Sequence, residues 1–247
     1  MIKEKFRHSL GLPFQKLLPE QLFEEALRAE GAPWRKRLFS PAVTVWAFLS
    51  QVVDQDNRCA TAVSRVIAWL AAEDQPLPSP DPSAYCQARQ RLPEGLFHRL
   101  LRTVGDRLQA QVPKSQLWQG HRVYLVDGST TVLPDTPENQ AVYPQHANQA
   151  PGCGFPLARF VCRFSLDTAA VHEVQIGSLH THELTLVRPL YQSLQPGDVV
   201  MGDSLFCTYV DIAQLQQQGV EVVFCMNGAR TVDFRRGQKL GPHDHLV

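Results

Sequence analysis

An α/β chain with a helical front is what this sequence predicts, and three observations carry the prediction. Up to Gln111 apolar residues recur at helical spacing. After Pro113 short runs rich in β-branched and aromatic residues take over. Helical segments then separate the last of those runs, the alternation expected where helices pack on a mixed sheet.

The front is read element by element. "PEQLFEEALRAEG" begins at Pro19, a good first-turn residue, and ends at Gly31, with Leu22, Phe23, Ala26 and Leu27 on one face. "SPAVTVWAFLSQVV" opens with Ser40 as N-cap and Pro41 just inside, and is apolar almost all round, as a central helix would be. "CATAVSRVIAWLAAE" spaces Cys59, Val63, Val66, Ile67 and Leu70 along a helical stripe. "DQPLPSPDPS" carries prolines at 76, 78, 80 and 82 and reads as an extended connection. Two further helical runs follow, Ala84–Arg91 and Pro93–Gln111, the second with Phe97, Leu100, Leu101, Val104 and Leu108 as its core stripe.

In the second half "HRVYLVD" (121–127), "RFVCRFSLD" (159–167), "AAVHEVQIG" (169–177), "GDVVMGD" (197–203) and "VEVVFCMN" (220–227) read as strands. Glu183–Leu194 and Tyr209–Gln218 read as helices between the later ones. Residues 134–158 form a polar, Pro/Gly-rich loop long enough to imply a task of its own or disorder.

Composition bounds the function. Formal charge is zero, which argues against a uniformly basic nucleic-acid coat. The halves differ mildly: residues 1–110 hold 15 Lys/Arg against 12 Asp/Glu, and residues 111–247 hold 9 against 12, so a DNA-facing front is permitted. Six cysteines lack any C-x-x-C pair, and several lie in apolar runs, Cys162 and Cys225 among them; buried, reduced thiols are expected. "MIKEKFRHSL" lacks a secretory core and nothing approaches a membrane span, so no membrane is involved and the expected location is cytoplasmic.

Two aspartates stand out by position. Asp127 ends the first apolar strand and Asp203 the fourth, at the carboxyl edge where open α/β sheets place ligands. If those strands are neighbours, the carboxylates converge, and close carboxylates demand a shared proton or cation. Oxygen ligands favour Mg²⁺ or Mn²⁺, and a metal pair clamping a phosphodiester is one use of such a site. Structural readings stand beside this. Asp127-Gly128 makes a good hairpin turn between "VYLV" and "TTVL", and Asp203 with Ser204 can cap the following helix.

"LVDGST", followed 76 residues on by "GDSLFC" with "VYPQ…PGCGFPLARFVCRFSL" between them, resembles bacterial insertion-sequence DDE transposases of the insertion-element-four type. "SAYCQARQRLP" (83–93) and the closing "DFRRGQKLGPHDHLV" are similar to the same family. The resemblance implies a helical N-terminal domain over 1–112, able to bind DNA, an RNase H-like mixed-sheet catalytic core over 113–229, and the start of a β-rich insertion over 230–247. It implies Asp127 and Asp203 as catalytic and metal-binding residues, Mg²⁺ (or Mn²⁺) as cofactor, and element-end and target DNA as partners of a homo-oligomer. The implied reaction is hydrolysis at element ends, then attack of a 3′-hydroxyl on target DNA.

The sequence departs from the family at the third acid. The Tyr-x-x-Arg-x-x-x-Glu-x-x-x-x-x-x-Lys signature has no match, and the only glutamate after Asp203 is Glu221, within a strand-like run. The resemblance therefore implies an incomplete, C-terminally truncated core, with a non-catalytic DNA-binding remnant or inhibitor as the competing reading. Ser204 stands where many relatives carry arginine, which removes a phosphate or carboxylate partner.

Other clusters carry less. His180/His182 and His243/His245 lack a third ligand at metal-site spacing and read as surface histidines. Ser129, Thr130 and Thr131 lack a histidine partner at motif spacing. Arg230, Arg235, Arg236 and Lys239 follow the last strand with only Asp233 against them, and are candidate DNA phosphate contacts or a solvated loop. Arg35-Lys36-Arg37 and Arg89/Arg91 are the corresponding candidates in the helical half.

Overall fold

A computed structural model describes residues 18–31, 34, 37–230, 235, 237–242 and 244–246. The chain forms two compact units, one running to Arg107 and the other beginning at Leu108.

In the first unit the helices are α1 (Glu20–Ala29), α2 (Pro41–Val53), α3 (Cys59–Ala72) and α4 (Ser83–Gln90), and α5 (Glu94–Gln109) runs out of it. α2 starts where its cap dictates: the Ser40 hydroxyl accepts from Val43 N at 3.3 Å and Pro41 occupies the first turn, where its missing N–H costs nothing. Phe23 and Trp46 meet edge to face at 5.9 Å, tying α1 to α2. On α5 Leu96 and Leu100 are the buried leucines, while Phe97 and Val104 pack at the core's margin. The stripe is thus rotated toward Leu96, a residue outside the face that the spacing predicts.

Buried polarity in this unit centres on Gln51. Its Oε1 accepts from the Tyr85 hydroxyl at 2.7 Å and from an Arg89 guanidinium nitrogen at 3.1 Å, and its Nε2 donates to Asn57 O at 2.7 Å. Arg89 also lies over the Phe48 and Tyr85 rings at 5.6 and 5.8 Å. Arg89 is therefore engaged within the helical unit. Arg91 is exposed, donates to Gln87 O and stands 6.0 Å over Trp34. Arg37 is exposed, and Arg35 and Lys36 lie outside the described residues.

The second unit is built on a five-stranded sheet: β1 (Val123–Val132), β2 (Leu157–Ser165), β3 (Val171–Ser178), β4 (Val199–Gly202) and β5 (Glu221–Phe224). Spatial order is β3-β2-β1-β4-β5, with β1, β2 and β3 antiparallel in turn and β4 and β5 parallel to β1. β1 and β2 are joined through α6 (Pro137–Val142); α7 (Glu183–Tyr191) and α8 (Tyr209–Gln217) lie between the later strands. Alternation sends Tyr124, Val126, Val161 and Val200 to one face, where they pack against Leu186, Leu190, Phe206 and Leu215. The other face carries Leu125, Phe160, Cys162, Phe164 and Met201 half-buried and Val223 exposed.

Polar anchors hold the layers. Arg163, almost fully buried, donates to Glu173 Oε2 at 3.0 Å and Ser193 Oγ at 2.7 Å and lies 4.7 Å over the Tyr124 ring. Buried Asp211, in the first turn of α8, accepts from Arg188 Nε at 2.8 Å and from the capping Thr208 hydroxyl, so α7 and α8 are tied through one carboxylate.

The segment 134–158 is ordered by glutamines. Gln145 Oε1 accepts from Gly152 N and Gly154 N at 3.1 and 3.2 Å, while its Nε2 donates to Gln149 O and Ala150 O. Gln140 Nε2 donates to Asp135 Oδ1 and Gly154 O. Backbone groups that a helix or sheet would pair are paired here by side-chain amides. Near the end of the chain β6 (Gln238–Gly241) and β7 (Asp244–Leu246) pair antiparallel.

All six cysteines are free. Cys207 is buried, but Cys225, expected inside, is exposed together with Cys153. Its run emerges from β5, which ends at Phe224. No described helix is long and apolar enough to cross a membrane.

Candidate active site

β4 is short, and its length sets the geometry. β1 pairs with β4 only through Val123–Val199, Tyr124–Val200 and Leu125–Met201, whereas its pairing with β2 continues to Val132–Leu157. Beyond Leu125, β1 therefore keeps a partner on one side only. Asp127 and Asp203 each lie two residues past the last registered pair, Leu125–Met201, and so stand at one level on neighbouring parallel chains. Such strands run about 4.8 Å apart. Both aspartates are exposed.

Asp127 is not a hairpin corner. β1 runs through Asp127-Gly128 without a turn, and Asp127 pairs with Cys162 inside the ladder. The reading that placed it at a strand terminus is corrected accordingly: it marks the level where β4 stops, not where β1 stops. Its Oδ1 accepts from Gly128 N at 2.8 Å. Asp203 follows β4 directly, and its Oδ1 accepts from Leu205 N at 2.8 Å. It stabilises a turn and does not cap α8, whose N-cap is Thr208. Gly202 before it is crowded: a Cβ there would lie 3.1 Å from Val126 and Phe206 and 3.2 Å from Phe224. Glycine thus lets β4 end against these side chains.

The donor chemistry fits a hard divalent cation. Across the ladder from Asp127, burial pushes the Cys162 thiol up from its ordinary range, and the Asp127 charge adds to the effect. The two aspartates offer carboxylate oxygens, which suit hydrated Mg²⁺ or Mn²⁺ better than zinc. Among the described residues no group of three or more His, Cys, Asp or Glu could hold a metal ion. Glu221 stands on β5, on an exposed position level with Val199.

The remaining candidates are dispersed. His182 is the N-cap of α7, its Nδ1 accepting from Leu184 N at 3.2 Å. His243 lies outside the described residues and His245 is on β7. Ser129, Thr130 and Thr131 continue β1 on exposed positions. Arg230 and Arg235 are exposed, Lys239 is exposed on β6, and Arg236 lies outside the described residues. A guanidinium nitrogen of Arg230 lies 3.7 Å from Cys207 Sγ.

One acidic residue that the local pattern does not mark lies behind Asp127, on the opposite face of β1. Glu183, the first residue of α7, rests its carboxylate on Gly128: a Cβ built on that glycine would lie 2.7 Å from Glu183 Oε2. The only trace in the sequence is the glycine itself, since its neighbour is 55 residues away.

Comparison with known proteins agrees with this architecture. Residues 7–102 match the family described as insertion element 4 transposase N-terminal, and residues 118–246 match the family described as transposase DDE domain. Among curated proteins the chain is similar to the transposase InsG for insertion sequence element IS4 of Escherichia coli (strain K12), with 23% identity over 231 residues. That alignment takes in 93% of this chain and 51% of the relative, so the chain spans about half the relative's length. No solved structure matches. With an IS4-type N-terminal region, a DDE domain and an RNase H-like sheet carrying two level carboxylates, this chain belongs to the insertion-sequence DDE transposases.

Proposed function

We propose that the chain serves DNA transposition as a DDE transposase unit, with Asp127 and Asp203 holding Mg²⁺ (or Mn²⁺) at the end of β4. The observation that carries this reading is the parallel register of β1 and β4, which sets the two aspartates at one level. A bound divalent ion supplies charge stabilisation to the attacking and leaving oxygens of a phosphodiester. The chain's own part is to present two oxygen donors from neighbouring strands and to leave that edge open to a phosphate backbone. Arg230, Arg235, Arg236 and Lys239 are proposed to contact phosphates, which would position DNA without reading its sequence. The substrates are element ends and target DNA, gripped by more than one copy of the chain.

A second reading, which the comparisons do not favour, starts from one observation. The described residues do not gather a third ligand with the two aspartates. Residues 1–247 would then bind DNA without cutting it, as a remnant or an inhibitor of a longer partner. The deciding experiment incubates the purified chain with a plasmid bearing the terminal repeats that flank its coding sequence, in Mg²⁺ and in EDTA. Metal-dependent nicking at the repeat ends, abolished by Asp127→Asn and by Asp203→Asn, supports the transposase reading. DNA binding without nicking, unchanged by either substitution, sinks it in favour of the second.

A further inference from the structure

Glu183 occupies a position that costs the fold something. A Cβ on Gly128 would lie 2.7 Å from its Oε2 and 2.9 Å from its Cδ, so the carboxylate sits where any other residue at 128 would place a side chain. Gly128 is also the residue whose N–H donates to Asp127 Oδ1. Alternation along β1 turns the Asp127 side chain to the face opposite Gly128 and Glu183, so Glu183 acts on Asp127 through the β1 backbone.

Among the described residues the cation beside Glu183 is Arg159, on β2 opposite Thr130. It stands 3.5 Å from Glu183 Oε1 and donates to Thr181 O at 2.8 Å, while its Nε is buried without a hydrogen-bond partner. Arg159 thus braces the carboxylate and the chain entering α7. This brace falls where β1 has lost β4 and is paired on one side only. Glu183 is not a third ligand here, since no three metal-ligating residues gather among the described residues.

We propose that Glu183 is a positioning residue for Asp127. Its carboxylate, braced by Arg159, fixes the one-sided segment of β1 at Gly128 and so the backbone that presents Asp127 on the other face, so that divalent-cation binding depends on it. This rests on the reading of Asp127 and Asp203 as cation ligands.

Mn²⁺ is the probe: its affinity for the whole chain is measured by electron paramagnetic resonance titration, beside thermal unfolding in EDTA. Glu183→Gln removes the charge and keeps the shape. Gly128→Ala keeps the charge but pushes aside the flexible end of the Glu183 side chain, so a folding defect in one variant leaves the other to decide. Each is expected to weaken Mn²⁺ binding about tenfold or more, the cost typical of losing a group that orients a metal ligand. Asp127→Asn is expected to remove the binding. Affinity unchanged in the folded variants, with Asp127→Asn still abolishing it, would show Glu183 to be structural and overturn the inference alone. If the unsubstituted chain binds no Mn²⁺, or Asp127→Asn binds it equally well, the site reading falls and the inference with it.

Discussion

Cys162 sits directly opposite Asp127 across the antiparallel pair of β1 and β2. Burial raises the thiol first, and the carboxylate's charge raises it further. Cys162 is therefore a built-in reporter of charge at the candidate site. In a chain keeping Cys162 as its sole cysteine, the pH–rate profile for alkylation should shift to lower pH in Asp127→Asn, because the thiolate no longer forms beside a negative charge. Profiles that coincide would show that the Asp127 charge does not reach the sulfur.

Arg230 and Lys239 are exposed and lie on the stretch proposed to meet phosphates. Each phosphate contact releases counterions, so Arg230→Gln and Lys239→Gln should each reduce the slope of log K against log salt by about 0.9 on duplex DNA. Fluorescence anisotropy with a random-sequence duplex measures this at several salt concentrations. Slopes equal to that of the unsubstituted chain would remove these residues from the interface.

Tyr85 is pushed up to about 12 by burial, against the opposing pull of the Arg89 guanidinium. An unfolded tyrosine ionises near pH 10, so the fold favours the neutral phenol. That stabilisation is intact below about pH 10 and is lost as pH rises toward 12. Tyr85→Phe should cost roughly 1 kcal/mol near pH 8, since it removes the hydrogen bond to Gln51 Oε1. It should also flatten the alkaline loss of stability, as read from urea midpoints at pH 8 and 11. Parallel losses in both proteins would assign the alkaline limb elsewhere, with Tyr191, also raised by burial, the first alternative.

Helices were legible because their signals are local. Ser40-Pro41 caps α2 and apolar spacing marks α1 and α3, and the structure starts and stops these helices within a residue or two of those signals. "TPENQAV" carried the same kind of signal, a Thr136 cap before Pro137, yet the Pro/Gly-rich surroundings masked α6. The family was legible too, because "LVDGST" and "GDSLFC" keep their order and spacing.

By itself, the sequence determined the helical front, the positions of the five strands, the family, and which two aspartates to examine. Only the tertiary structure decided what those aspartates are near. Where β1 ends depends on β2, whose pairing carries it through Asp127-Gly128 to Val132, although the same residues suit a turn. That Asp127 and Asp203 share a level depends on the register of β1 with β4, a contact between chain segments 76 residues apart. That Glu183 rests on Gly128 depends on how α7 packs on the sheet. Periodicity and capping act over a few residues, whereas register and packing are settled by partners that the local pattern does not name.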